Sequence, residues 1–341
     1  MEIKINNNIK LCQNSKPLII AEVSANHCGS KQKFLKHILT AKKCGADLVK
    51  IQTYEPDDMV VNKKFIIKKG LWKNKNLWKL YQKAQTPYNW HIDAFKLARK
   101  NKIELFSTPF SIKSLRFLKK FRPKLYKISS FELTDYNLVN EIARLRKPII
   151  LSTGLAKIDE IKNAIKIIRR WHKKIILMYC VSSYPAKLEE INFDKINILR
   201  NETGILNIGF SDHSIGTSAA IASVSNGVRI VEKHFKLNGE NNSPDQIFSI
   251  NENELKKLRF EFDNLDKIYS KDLNLESKNS IFFRRSIYAI SNIKKNEVFS
   301  KKNVACFRPF TGLCASKYLK LIGKKSKRFI KINTVLKNKD Y

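Results

Sequence analysis

Negative charge is scarce in this chain: 30 Asp and Glu stand against 66 Lys and Arg, a formal net charge of +36. Such an imbalance raises the question of a nucleic-acid partner, bound at a basic face with release of counterions. The lysines, however, are spread over nearly every surface-type segment, and Asn and Ile are abundant beside them, as A/T-rich codon usage would produce. No specific nucleic-acid partner is therefore expected. Paired cysteines are missing too: Cys12, Cys28, Cys44, Cys180, Cys306 and Cys314 form no C-x-x-C pair and keep no regular spacing. That pattern excludes a disulfide frame or a zinc site of the usual kind and predicts reduced thiols. No run of about 18 apolar residues occurs, and the opening M-E-I-K-I-N-N-N-I-K lacks the apolar core of a signal peptide. The expectation is a soluble cytoplasmic protein that engages no membrane.

The chain does hold enough apolar residues, 43% of 341, for a sizeable core, and its length suits one large domain plus a small one. From residue 17 short apolar runs alternate with helix-like segments. The predicted strands are Pro17 to Glu22, Asp47 to Gln52, Ile103 to Ser107, Leu125 to Ser129, Pro148 to Ser152, Lys174 to Tyr179, Ile205 to Phe210 and Val228 to Glu232. Between them apolar residues recur at three and four positions, as at Ile158, Ile161, Ile165 and Ile168. Near-continuous apolar strands are those of a sheet covered on both faces. Eight β-then-α units predict a (β/α)8 TIM barrel, with a doubly wound sheet as the alternative.

Two of these strands stop on a histidine. Ile205 to Phe210 runs into Ser211-Asp212-His213, and Val228 to Val231 into Glu232-Lys233-His234, with one helix-like stretch between. The ends of two parallel strands joined by a crossover helix share one rim, so His213 and His234 are expected to converge there. Two neutral imidazoles with ligand positions left open suit a catalytic divalent metal. The plainer alternative is that each histidine caps its strand. A barrel places function at this rim, and the other strand ends carry Glu22, Lys50, Gln52, Thr108, Lys127, Ser130, Glu132, Ser152, Ser182 and Tyr184. Singly each is weak, since a strand-end Ser is usually a helix cap. Together they suit a small, oxygen-rich anion: cations and hydroxyls for phosphate and carboxylate, carboxylates for proton transfer or sugar hydroxyls.

The second βα loop, from Thr53 to about Tyr88, is the longest and should shape access to the mouth. Packing on the loop's own apolar residues is the expected role of Trp72 and Trp78, with stacking of its aromatics on a sugar as the alternative. The chain is divided into a catalytic barrel at 1–268, with an extension at 1–16, a polar linker at 269–283, and a small mixed domain at 284–341 with a turn at Lys295-Asn296.

The motifs I-I-A-E-V-S-A-N-H-C-G-S, A-K-K-C-G-A-D-L-V-K-I-Q-T-Y, F-S-T-P-F, Y-K-I-S-S-F-E-L-T-D, K-P-I-I-L-S-T-G, Y-C-V-S-S-Y-P, G-F-S-D-H-S-I-G and V-E-K-H-F follow these strands in order. With R-R-S-I-Y-A, R-P-F-T-G-L and L-I-G-K-K in the tail, they resemble the sialic acid synthase family over essentially the whole chain, most closely its pseudaminate-forming branch. The tail resembles that family's antifreeze-like (SAF) domain. S-S-F-E-L-T-D and the G-L-W-K insertion suggest the branch. Ser182 and Phe310 replace the Asn and Gly common in neuraminate-type enzymes.

The resemblance implies a transferase that condenses phosphoenolpyruvate with an open-chain N-acetylated amino sugar and releases phosphate. The sugar implied is 2,4-diacetamido-2,4,6-trideoxy-β-L-altropyranose, with legionaminate- or neuraminate-type synthesis as alternatives. It assigns Mn2+ or Mg2+ to His213 and His234, and phosphoenolpyruvate to Lys50, Thr108, Lys127, Ser130, Ser152, Ser182 and Ser211. Glu22 would contact the sugar and assist proton transfer, and Gln52, Glu132, Tyr184, Asp245 and Arg308 would place it. Arg308 would act from the partner subunit of a domain-swapped homodimer. A metal-dependent aldolase would use the same histidines but need no such tail. An RNA-binding protein would leave the strand-end residues unexplained.

Overall fold

The computed structural model describes residues 2–269 and 278–341. The chain divides into two compact units, 1–270 and 271–341. The first opens with a two-stranded antiparallel hairpin, β1 (Ile3–Lys4) and β2 (Lys10–Leu11). Eight parallel strands follow: β3 (Leu18–Glu22), β4 (Leu48–Thr53), β5 (Glu104–Pro109), β6 (Tyr126–Ile128), β7 (Ile149–Ser152), β8 (Ile175–Cys180), β9 (Ile208–Asp212) and β10 (Ile230–His234). Each pairs with the next, and β10 pairs with β3, closing the barrel. Closure rules out the doubly wound sheet, which would leave two open edges. All eight expected strands form, and the segments between them carry helices, among them Lys31–Lys43, Tyr88–Lys100, Ile158–Arg169 and Glu252–Tyr269.

Side-chain alternation along these strands sorts the site from the core. Ile19, Ala21, Val49, Ile51, Leu105, Ile149, Leu177 and Val231 point outward and pack under the helices. Their neighbours Ile20, Leu48, Phe106, Leu125, Ile150, Ile176, Met178 and Ile230 point inward. The hairpin residues Ile3, Ile5 and Leu11 join that inner layer. The extension at 1–16 thus becomes the apolar plug of the barrel bottom, which would otherwise expose its inner side chains to water. Further along each strand the inward layer turns polar: Glu22, Lys50, Thr108, Lys127, Ser152, Cys180 and Glu232 each lie two residues beyond an inward apolar residue, and Ser211 lies two beyond Gly209.

The second unit is built on β11 (Ser286–Ala289) paired antiparallel with β12 (Val304–Phe307). Ile287, Ile293, Phe299, Val304, Leu313, Leu321, Ile330 and Leu336 form its core. The turn expected at Lys295-Asn296 is present: Asn296 takes φ 67° and Glu297 N–H donates to the Lys294 carbonyl. Of the linker expected at 269–283, residues 270–277 lie outside the described residues, and Lys278–Ile281 forms one short helical turn.

Candidate active site

The polar layer floors a cavity of about 830 Å³ at the carboxyl ends of the strands. At its base lies a buried chain of alternating charge. Lys50 Nζ sits 2.8 Å from Glu22 Oε2 and 2.7 Å from Glu232 Oε1, and Lys127 Nζ donates to Glu232 Oε2 at 2.8 Å. Ser211 Oγ adds a hydrogen bond to Glu232 Oε1 at 3.1 Å. The strand register brings these groups together, since Glu22 lies beside Lys50 and Glu232 beside Ser211.

Burial and pairing compete here. For Glu232 burial favours the protonated acid, but Lys127 and Lys50 outweigh it and hold the carboxyl well below the usual range. Burial would lower Lys50, yet Glu22 and Glu232 together keep its pKa above normal. Lys127 has one carboxylate rather than two; burial wins, and with Lys50 adding its repulsion the ammonium falls to about 8. The Glu22 carboxyl is raised by burial, which Lys50 offsets only in part, while Glu232 pushes the same way as burial.

Hydroxyls surround this base. Thr108 Oγ1 and Ser182 Oγ are buried without a hydrogen-bond partner, the state of groups arranged for a ligand. Ser130 Oγ lies 3.0 Å from Cys180 Sγ and accepts from the Gly154 amide at 3.2 Å. That approach needs a glycine: a Cβ on residue 154 would stand 2.7 Å from Cys180 Sγ. Ser152 completes the wall.

His213 and His234 do converge, with ring centroids 5.6 Å apart. His213 Nδ1 is 2.9 Å from the Val181 carbonyl, which can only accept, so Nδ1 carries the proton and Nε2 keeps its lone pair. Burial, then the neighbouring His234, hold His213 neutral, with its pKa lowered to about 3. His234 Nδ1 lies 3.4 Å from Asp245 Oδ2, which orients the ring. Both are the properties of metal-ligating imidazoles. Among the described residues no group of three or more His, Cys, Asp and Glu converges on one metal position. The donor set fits a divalent cation with two protein ligands and the remaining positions open to water or substrate.

Around the upper wall, Tyr184 packs 4.3 Å from His213, and Phe248 lies 4.8 Å from His234, by ring centroids. Glu132 faces the cavity, held by the Ser129 hydroxyl and raised in pKa by burial. Gln52 Nε2 donates to Ser24 Oγ at 2.9 Å.

A family model described as the NeuB family matches residues 37–273, and one described as the SAF domain matches residues 284–341. The chain belongs to the NeuB family. It is 40% identical over 333 residues to the pseudaminic acid synthase of Campylobacter jejuni subsp. jejuni, covering 96% of this chain and 97% of that protein. It is 39% identical to the pseudaminic acid synthase of Helicobacter pylori, covering 95% and 97%. The N,N'-diacetyllegionaminic acid synthase of Campylobacter jejuni is 33% identical, covering 91% and 95%. Among solved structures, the N-acetylneuraminic acid synthetase of Leptospira borgpetersenii superposes with a TM-score of 0.73 at 28% identity, covering 82% of this chain and 94% of that one.

Within this NeuB-family barrel, the strand-end residues expected to face the ligands gather at one cavity: Lys50, Thr108, Lys127, Ser130, Ser152, Ser182, Ser211, Gln52, Glu132, Tyr184, Asp245, His213 and His234. Glu22 lies just beneath, through Lys50. Arg308 is in the other unit, exposed and directly after β12. The polar residues flanking the histidines separate: Glu232 faces the cavity, whereas Lys233 Nζ pairs with Asp212 Oδ2 at 2.9 Å on the outward side and ties β10 to β9. The sequence places Glu232 on the rim beside His234 without a role of its own, although its position two residues beyond inward Ile230 marks it as inward too. Trp72 corrects another expectation. Its indole lines the cavity instead of packing within its own loop, while Trp78 does pack there, donating to Asp57 Oδ1 at 2.8 Å beneath Lys63.

Proposed function

We propose that this protein condenses phosphoenolpyruvate with the open-chain form of 2,4-diacetamido-2,4,6-trideoxy-β-L-altropyranose, consuming water and releasing pseudaminic acid and phosphate by C–O cleavage. The observation that carries this reading is the convergence of Lys50 and Lys127 with unpartnered hydroxyls beside the two histidines. Two relatives near 40% identity over almost the whole chain are pseudaminic acid synthases, which supports the choice of sugar.

In this reading Lys50 and Lys127 bind the anionic groups of phosphoenolpyruvate through charge-assisted hydrogen bonds, and Thr108, Ser130, Ser152, Ser182 and Ser211 supply hydroxyl donors. Glu232 keeps both ammonium groups in place before the substrate arrives. His213 and His234 would hold Mn2+ or Mg2+, which supplies Lewis-acid polarisation of the sugar carbonyl when bound. Glu22, buried beside Lys50 with its carboxyl pKa raised by burial, is the group placed to exchange a proton with the reacting centre. Gln52, Glu132, Tyr184 and Asp245 orient the sugar against the enol.

Arg308 acts from a second copy of the chain. Exposed apolar side chains at the barrel rim support a docked cap there: Phe131, Leu155, Leu188, Ile215 and Ile247 lie on successive βα loops and face solvent. The decisive measurement is phosphate release from phosphoenolpyruvate with three sugars: the altrose derivative, the gulose-derived legionaminate precursor and N-acetylmannosamine. Turnover with the first alone supports the reading. Preference for another moves the protein to that branch, and no release with any sugar removes the synthase assignment.

A further inference from the structure

The tip of the second βα segment carries a group that the condensation chemistry leaves unexplained. Residues 65–77 fold back on themselves: Asn74 N–H donates to the Ile67 carbonyl at 2.9 Å, Ile67 N–H to the Lys75 carbonyl at 3.0 Å, and Leu77 N–H to the Phe65 carbonyl at 3.0 Å. Gly70 and Asn74, with φ of 84° and 65°, turn the tip. Trp72 sits at that tip and projects over the mouth, its ring centroid 5.8 Å from that of Tyr184, which in turn packs on His213. The indole Nε1 is buried and has no hydrogen-bond partner. Ile67, Leu71 and Leu80 line the same end of the cavity.

A buried donor left unpaired is costly, and such sites are held where a ligand completes them. The loop tip therefore offers the cavity an aromatic face, aliphatic surface and the unpaired indole N–H, with Lys69 beside them. An acetamido group matches it with one methyl and one carbonyl acceptor. A hydroxyl-rich chain matches it less well, because the aromatic and aliphatic surface takes a methyl group but replaces none of the water that several hydroxyls would lose.

We propose that Trp72 is a specificity-determining residue that recognises the acetamido group at the far end of the sugar, through its ring face and its Nε1–H. This rests on the synthase reading above, which puts the sugar carbonyl at His213 and His234; an extended sugar then reaches past Tyr184 with its distal carbons. It assigns the discrimination between diacetamido and hydroxylated sugars to a loop that touches neither the phosphate site nor the histidines.

The test compares wild type, Trp72→Ala and Trp72→Phe in steady-state kinetics with the diacetamido sugar, and by quenching of tryptophan fluorescence on sugar addition. Trp72→Ala should raise KM for that sugar roughly tenfold, with KM for phosphoenolpyruvate unchanged. Trp72→Phe should recover part of the loss, since it keeps the ring and lacks the donor. The sugar-dependent quench should vanish in both variants. Unchanged sugar KM in Trp72→Ala, or an equal rise in both KM values, would overturn the assignment. Wild type that neither binds nor turns over any sugar removes the synthase reading and this inference with it, so the two failures are distinguishable.

Discussion

Lys127 donates to one oxygen of Glu232 at 2.8 Å, and the other oxygen of that carboxylate is already held by Lys50. Glu232 thus bridges two buried cations, one of which, Lys50, is also held by Glu22 at 2.8 Å. In the free protein the carboxylates compensate the lysines; in the proposed reaction the phosphate and carboxylate of phosphoenolpyruvate would share that task.

Removing the compensation should be visible as lost stability. Breaking a buried ion pair by neutralising one partner costs about 3–5 kcal/mol, because the remaining charge stays buried. Glu232→Gln should therefore melt well below wild type, and phosphoenolpyruvate should raise its melting temperature by more than it raises that of wild type. Equal melting temperatures would show that Glu232 is not the counter-ion described here.

Lys127 makes the phosphoenolpyruvate step sensitive to pH. Burial lowers its ammonium to about 8, so the cation is present below that pH and lost above it. The profile of kcat/KM for phosphoenolpyruvate should fall on the basic side near pH 8. In Lys127→Arg that limb should vanish, since guanidinium does not titrate in this range. A limb that persists unchanged in the variant belongs to another group.

Charge-assisted contacts to an anion are lost when either lysine is truncated. Lys50→Ala and Lys127→Ala should raise KM for phosphoenolpyruvate by roughly ten- to a hundredfold, as hydrogen bonds to charged groups contribute about 1.5–3 kcal/mol each. The KM for the sugar should move much less. A larger rise for the sugar would reverse the placement of the two substrates.

His213→Ala and His234→Ala should lower turnover by roughly three orders of magnitude, the loss of several kcal/mol of charge stabilisation. Circular dichroism should remain that of the folded barrel, since both side chains border the cavity rather than the packed core. A chelator should silence wild type and Mn2+ restore it; full activity in chelator would remove the metal from the reading.

Action of Arg308 from a second copy predicts complementation. An inactive Arg308→Ala protein mixed with inactive His213→Ala should regain activity, because a mixed dimer holds one mouth with both residues intact. If subunit exchange is demonstrated and no activity returns, the arginine does not act in trans.

Much of this was legible in the chain. Short near-continuous apolar runs such as Ile149–Ser152 suit strands covered on both faces, and eight of them alternating with helical periodicity leave few architectures. Their polar ends identify the rim, because parallel strands joined by helices all end on one side. What the sequence by itself determined is therefore the barrel, the rim and most residues on it. Pairing was different. That Glu232 bridges Lys50 and Lys127 while Lys233 turns away to Asp212 depends on strand register and on the parity of the pleat. Trp72 and Trp78 are six positions apart in one loop and equally aromatic, yet one lines the cavity and the other bonds to Asp57 within the loop. Only the tertiary structure decided between them, because a loop has no period of its own: its side chains take their direction from whichever surface the chain happens to pass.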